Sequence, residues 1–163
     1  MPRVLSFTNR LLSLRGRVDI TDAQGVTAYE AVGKLALFSQ TWRVTRDQQE
    51  LARVRRRLLS WLPTWDVRCG NDAFRIRRRF WSWTRRYWVD DGPYLGAEVQ
   101  GNFIDRNFTV SWAGQTLARA SGRILTLRDR HVVEVLDDAN ELFVVVAMLV
   151  LQLDRREGGG DSD

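Results

Sequence analysis

The chain of 163 residues carries one cysteine, one histidine, one lysine and three prolines. A lone Cys69 excludes an internal disulfide, and with His131 as the sole imidazole no Cys/His zinc site can be assembled. No metal and no cofactor are expected. No serine sits in a nucleophile elbow, and Gly158, Gly159 and Gly160 follow the last apolar stretch rather than opening a phosphate-binding helix. The longest apolar run, Leu142 to Leu151 carried past Gln152 to Leu153, covers twelve residues, against the ~20 a membrane-spanning helix needs. Met1 to Ser13 has neither a continuous apolar segment nor a small-residue cleavage site. A transmembrane segment is therefore not expected, and the expected location is cytoplasmic, peripheral at a membrane where a lipid surface is engaged.

Positive charge is abundant, almost all of it arginine. Basic residues number 25, of which 24 are arginine, against 20 acids, a formal balance of +5. From Arg53 to Arg86 stand eleven arginines and two acids, Asp66 and Asp72, so this window carries +9 and the other 129 residues, with 14 bases and 18 acids, carry −4. At 44% hydrophobic and 28% charged the composition is globular. The length suits a single domain, expected over residues 1–156 with a disordered polar tail at 157–163.

An internal repeat organises the chain. A β-branched or aromatic residue, any residue, then Val or Ile recurs at Val18-Asp19-Ile20, Trp42-Arg43-Val44, Trp65-Asp66-Val67, Tyr87-Trp88-Val89, Phe108-Thr109-Val110 and Val133-Glu134-Val135, in steps of 24, 23, 22, 21 and 25 residues. Turn signals follow at Asp22–Gly25, Asp47–Glu50, Gly70–Asp72, Asp90–Pro93 and Ala113–Gln115. After each turn comes a second alternating run: Tyr29/Ala31/Gly33/Leu35, Ala52/Val54/Arg56/Leu58, Phe74/Ile76/Arg78/Phe80, Ala97/Val99/Gly101/Phe103 and Ala118/Ala120/Gly122/Ile124, with Leu5/Phe7/Asn9/Leu11 in the same frame. Period-2 runs joined by short turns predict twelve strands in an antiparallel meander. Closure would remove its edges, and glycine in the third column suggests a bend or bulge there.

A barrel of twelve strands has a lumen that needs filling. Asp138 with Glu141 resembles a capping box, and the apolar run after it is hydrophobic on every face, which predicts a buried helix at about 139–153. Leu142, Phe143, Val146, Leu149, Val150 and Leu153 would form its core contacts. A thirteenth strand competes, because three consecutive valines favour β structure.

This arrangement resembles the LURP-one-related family and its bacterial and archaeal YxjI-like relatives, within the Tubby C-terminal-like group that includes phospholipid scramblases. The resemblance runs from about Leu11 to Leu153. It rests on Val32-Gly33-Lys34, Leu58-Leu59-Ser60-Trp61-Leu62-Pro63 with Trp65, Gly101-Asn102-Phe103, Ala118 to Arg130 and the acidic pair Asp137-Asp138 before the apolar helix. It implies a closed twelve-stranded barrel around a hydrophobic C-terminal helix. Nothing in the sequence matches a scramblase calcium segment followed by a spanning helix.

Catalytic groupings are scarce. His131 suits a structural or surface role, and Cys69, beside Arg68 that could lower its pKa, suits a turn or packing role. No enzyme is expected. The chemical signal lies in the arginine window. With Ala52 and Val54 inward, Arg53, Arg55 and Arg57 face solvent; with Phe74 and Ile76 inward, so do Arg75, Arg77 and Arg79. One strand would separate the two columns, placing them ~10 Å apart. Arg85 and Arg86 extend the face through Trp81 and Trp83. Arginine forks match phosphate and tryptophan settles at membrane interfaces, so an anionic lipid, phosphoinositide-like, is the expected partner. Nucleic acid, a protein-interaction scaffold or a small-molecule carrier are the alternatives, and arginines that merely solvate the barrel wall are the plain one. Arg56 and Arg78 stand in the inward column, either turned out at a bulge or buried against acids such as Asp66 and Asp105.

Overall fold

The structure, a computed structural model, describes residues 2–10, 16–35, 40–79, 85–102, 107–120 and 130–158. Twelve strands follow one another: β1 (Arg3–Arg10), β2 (Arg17–Thr21), β3 (Thr27–Leu35), β4 (Gln40–Arg46), β5 (Gln49–Arg57), β6 (Thr64–Cys69), β7 (Asp72–Arg78), β8 (Arg85–Val89), β9 (Glu98–Asn102), β10 (Asn107–Trp112), β11 (Gln115–Ala120) and β12 (Arg130–Val135). Each pairs antiparallel with its chain neighbours, and β12 returns to β1 to close the barrel. The alternating columns read from the repeat point inward: Phe7, Ile20, Val44, Val54, Trp65, Phe74 and Val110 are all buried.

The lumen is filled by α1 (Glu141–Gly158). Residues 143 to 154 are buried without a break. A helix lying on a sheet would expose one face, so twelve successive buried residues mean enclosure on all sides, over ~18 Å of axis. The thirteenth-strand alternative is excluded, and so is a carrier that would use the lumen. The helix is capped one residue earlier than the sequence suggests. Asp137, not Asp138, accepts from the Ala139 amide (3.0 Å) and leads a short 3-10 turn over Asp138–Asn140. It also ends later than residue 153, running into the expected tail, because the Asp154 side chain is anchored inside the barrel. Residues 159–163 lie outside the described ones.

The glycine column does not bend the strands. The register shifts fall instead beside the turns, at Ile20/Thr21, Val44/Thr45 and Val110/Ser111. What the column does is face the aromatic of the next repeat: Gly33 lies opposite Trp42, and Gly101 opposite Phe108. A Cβ at 101 would overlap the Phe108 ring, so the missing side chain makes room for that ring against the backbone. Gly122 lies outside the described residues. Where the column holds arginine, Arg56 faces Trp65 and Arg78 faces Tyr87.

Two rims result. At the rim where α1 begins, hairpins turn tightly; Asp47 and Gln48 both take positive φ (49° and 66°), as do Ala113 and Gly114 (50° and 77°), the left-handed pair that a two-residue hairpin with right-handed strand twist requires. At the rim where α1 ends, the connection wholly described is Leu58–Pro63.

Candidate functional site

The outer wall of β5, β6 and β7 carries the arginine columns. With β6 between the other two strands, Arg53 stands opposite Arg68, Arg55 opposite Asp66 and Arg57 opposite Thr64; across the next seam Asp66 faces Arg75 and Thr64 faces Arg77. Two strand spacings put the columns ~10 Å apart. Arg86 is exposed on β8 opposite Gln100, Arg85 opens that strand, and the Arg79 guanidinium lies 5.7 Å from the Trp88 ring. Trp81 and Trp83 fall outside the described residues.

Folding supplies carboxylates that the window count omits. Arg53 Nε meets Glu50 at 2.8 Å, Arg75 Nε meets Asp91 at 2.9 Å, and Arg77 Nε meets Asp90 at 2.7 Å. Arg57 Nε takes Asp66 at 2.7 Å. Glu50, Asp90 and Asp91 all lie outside residues 53–86. On the outer face from β4 to β8, nine arginines (43, 53, 55, 57, 68, 75, 77, 79 and 86) meet four carboxylates (50, 66, 90 and 91), a balance of +5. The hydrogen bond from Arg53 holds the Glu50 carboxyl below its usual range, and the same bond raises Arg53; Arg75 is raised chiefly by its bond to Asp91. Glu50, Arg53 and Arg75 are therefore charged at neutral pH.

Arg55 and Arg68 form no ion pair among the described residues. Asp66, the cross-strand neighbour of Arg55, turns instead to Arg57. Between the columns runs a groove of about 650 Å³ lined by Arg53, Arg55, Arg57, Arg68 and Arg75, with Asp66 and Asp91, paired to Arg57 and Arg75, also in its wall. Its chemistry is that of an anion cradle: guanidinium forks on two sides, those of Arg55 and Arg68 with no carboxylate to share.

Arg56 and Arg78 are not turned outward at a bulge. Both are half-buried and face the lumen. For Arg78 the counter-charge comes from the helix and not from Asp66, and Asp105 lies outside the described residues. Arg78 Nη1 donates to both oxygens of Asp154 at 3.0 Å, and the Tyr87 hydroxyl donates to the same carboxylate at 2.5 Å. The Arg56 guanidinium lies over the Trp65 ring, 4.7 Å from its centroid. A mirror arrangement holds the other end of α1. Glu141, 6% exposed, accepts from Arg3 (2.9 Å), Tyr29 (2.7 Å) and Arg46 (3.1 Å). Burial, then the bond to Glu141, pushes the Tyr29 phenol well above its ordinary pKa.

Neither helix carboxylate stands out in the sequence, where each reads as a polar end of an apolar run. The signal was there in the repeat: an arginine in an inward column requires an interior acid, and Asp154, next to the last apolar residue, is placed to meet Arg78. Cys69 keeps to the turn or packing role that the sequence suggests. Burial, with a further push from Asp72, raises its thiol to about 11, so Arg68 does not activate it.

A closed antiparallel barrel of twelve strands, plugged by its own C-terminal helix and pinned at both ends by buried carboxylates, defines the structural class. The chain belongs to the LURP-one-related family, whose sequence profile matches residues 3–152. No curated protein matches it. In structure it is similar to a protein of Arabidopsis thaliana known from an X-ray structure, with a TM-score of 0.64 over 95% of this chain and 91% of that one at 14% identity. That likeness establishes the shared fold. Among the described residues, no helix is long and apolar enough to cross a membrane.

Proposed function

We propose that the chain is a non-enzymatic binding module whose β5–β6–β7 groove takes the head group of an anionic, phosphoinositide-like lipid at a membrane surface. The observation that carries this reading is the pair Arg55 and Arg68, which form no ion pair among the described residues and line one groove with Arg53 and Arg75. A phosphate entering there meets guanidinium donors in fork geometry and displaces no carboxylate from those two. Near an anionic surface each such residue is worth ~1 kcal/mol, so the pair would change partitioning by about tenfold or more.

Co-sedimentation tests this with neutral and anionic vesicles in ~150 mM salt, where the screening length is ~8 Å. The expected result is selective pelleting with anionic vesicles and its loss, by about tenfold or more, in the Arg55→Ala/Arg68→Ala variant. Equal pelleting with neutral vesicles, or no change in the variant, refutes the reading. Nucleic acid is the second arm: tight binding of DNA or RNA with a steep salt slope and no vesicle binding would transfer the groove to that partner.

A further inference from the structure

Resting on the lipid reading, we propose that the barrel meets the bilayer end-on, through the rim where α1 ends, with the Leu58–Pro63 connection entering the interface. Lateral docking along the arginine wall would leave this connection in water.

The first observation is apolar exposure. Leu59 is 104% exposed and Trp61 100%, with Leu58 at 57%. A Trp and two Leu side chains presented on one six-residue connection are costly to leave in water, and tryptophan favours the head-group boundary of a bilayer. The connection is held up from its base: Thr64 Oγ1 lies 2.9 Å from Ser60 Oγ and donates to the Leu62 carbonyl at 2.8 Å.

The second observation is independent, and concerns charge along the barrel axis. Of the twelve strand ends at this rim, six are arginine (10, 17, 57, 78, 85 and 130) and none is acidic; Arg78 turns inward to Asp154, while Arg17 pairs with Asp19 and Glu30 and Arg57 with Asp66. At the opposite rim two strand ends are arginine, Arg3 and Arg46, both paired with the buried Glu141, and its turns and connections carry Asp22, Asp47, Asp72, Asp91, Asp137 and Asp138. The molecule is thus polarised end to end, and α1 runs with its N-terminus at the acidic rim and exposed Arg155 near its C-terminus, so the helix dipole is matched at each end. An anionic surface attracts the basic rim and repels the other, which orients the approach.

Heights then decide which arginines can reach lipid. Strands rise ~3.3 Å per residue and tilt by ~35–45° in a barrel, so along its axis Arg57 lies ~5 Å, Arg55 ~10 Å and Arg53 ~15 Å from the level of Leu59. The head-group layer is only ~5 to 8 Å deep on each side of the bilayer. With Leu59 and Trp61 at the hydrocarbon boundary, Arg57 falls within that layer and Arg55 reaches it through its side chain. Arg53 stands clear.

The test uses the full chain with Cys69→Ser and a single Leu59→Cys carrying an environment-sensitive fluorophore, beside the same label at Gln24→Cys on the acidic rim. The vesicles are phosphatidylcholine with and without phosphatidylserine. The expected result is a blue shift at position 59 with the anionic vesicles and none at 24. In unlabelled protein, Leu59→Ser with Trp61→Ser lowers vesicle partitioning by about tenfold or more at an unchanged melting temperature. Binding that persists with no shift at 59 overturns end-on insertion and leaves the groove reading standing. Absence of wild-type binding to any vesicle overturns both. Concentration-dependent self-association that the double serine variant abolishes, with no vesicle-induced shift, assigns the connection to a second copy of the chain and overturns the proposal.

Discussion

Asp154→Ala removes the carboxylate that fastens the last turns of α1 inside the barrel. Asp154 is 2% exposed, and it receives two bonds from Arg78 at 3.0 Å and one from Tyr87 at 2.5 Å. Alanine would leave a guanidinium and a phenol facing the lumen without that acceptor. Breaking a buried pair by deleting one partner costs about 3 to 5 kcal/mol. The Arg78 side chain is 29% exposed, so water can solvate part of the orphaned charge and the lower end, about 3 kcal/mol, applies. For a domain of this size that lowers the melting temperature by roughly 6 to 12 °C. A companion variant separates charge from packing. Asp154→Leu combined with Arg78→Met replaces the pair by apolar groups of similar bulk, and it should recover to within about 1 kcal/mol of wild type. Thermal and urea unfolding followed by circular dichroism report both values, with coincident near- and far-ultraviolet transitions as the check on two-state behaviour. A melting temperature for Asp154→Ala within 2 °C of wild type, or a double variant as unstable as the single one, would refute the account of the helix as pinned by its carboxylate.

Three further outcomes follow from the same interior. The Gln152 amide is buried, and among the described residues neither its nitrogen nor its oxygen has a hydrogen-bond partner, so Gln152→Met should stabilise the fold by about 1 kcal/mol; a lower urea midpoint for the variant would contradict this. Cys69, raised to about 11, should react with iodoacetamide at pH 8 about a hundredfold more slowly than an ordinary exposed thiol, from thiolate fraction alone, and labelling at the rate of free glutathione would be the contrary result. Burial raises the phenols of Tyr29 and Tyr94 above their ordinary pKa of 10. The folded chain therefore keeps protons that the unfolded chain releases, and the associated stability is full below pH 10 and falls as pH rises beyond it. Urea midpoints should drop between pH 10 and 11, less so in Tyr29→Phe; equal midpoints across that interval would remove the basis for the prediction.

The barrel was legible because its information is periodic. Val18, Trp42, Trp65, Tyr87, Phe108 and Val133 mark the inward side of successive strands, and short turns fix antiparallel neighbours, so strand count and facing follow from spacing alone. What could not be read was anything set by contact across the lumen. Asp154 lies 76 residues from Arg78 in sequence, and Glu141 lies 138 from Arg3. No local pattern links such partners. The glycine column shows a subtler limit: a glycine in a strand signals either a bulge or a close approach, and only the register, which sets Gly101 against Phe108, selects the second.

The arginine window illustrates why a charge count along the chain is the wrong coordinate for a barrel. Residues 53 to 86 cover two strands down one wall, one strand back and part of a fourth, so the window mixes every height and both faces. Folding removes Arg56 and Arg78 to the interior, brings Glu50, Asp90 and Asp91 onto the wall, and halves the apparent local surplus. Yet it also creates an asymmetry that no window contains, since the acids cluster in the turns at one rim and arginines end the strands at the other. The reason is local chemistry: aspartate suits tight turns because its carboxylate bonds nearby backbone amides, as Asp22 does to Gln24 and Val26 at 3.0 and 2.9 Å. Among the described residues, the two-residue turns lie at the rim where the helix enters, and the Leu58–Pro63 connection at the other rim carries no aspartate. If the axial separation of charge directs binding, Arg57→Ala and Arg79→Ala should weaken vesicle association more than Arg53→Ala and Arg75→Ala, although all four lie on one wall. Equal losses from the two pairs would favour a membrane lying along the wall rather than across the rim.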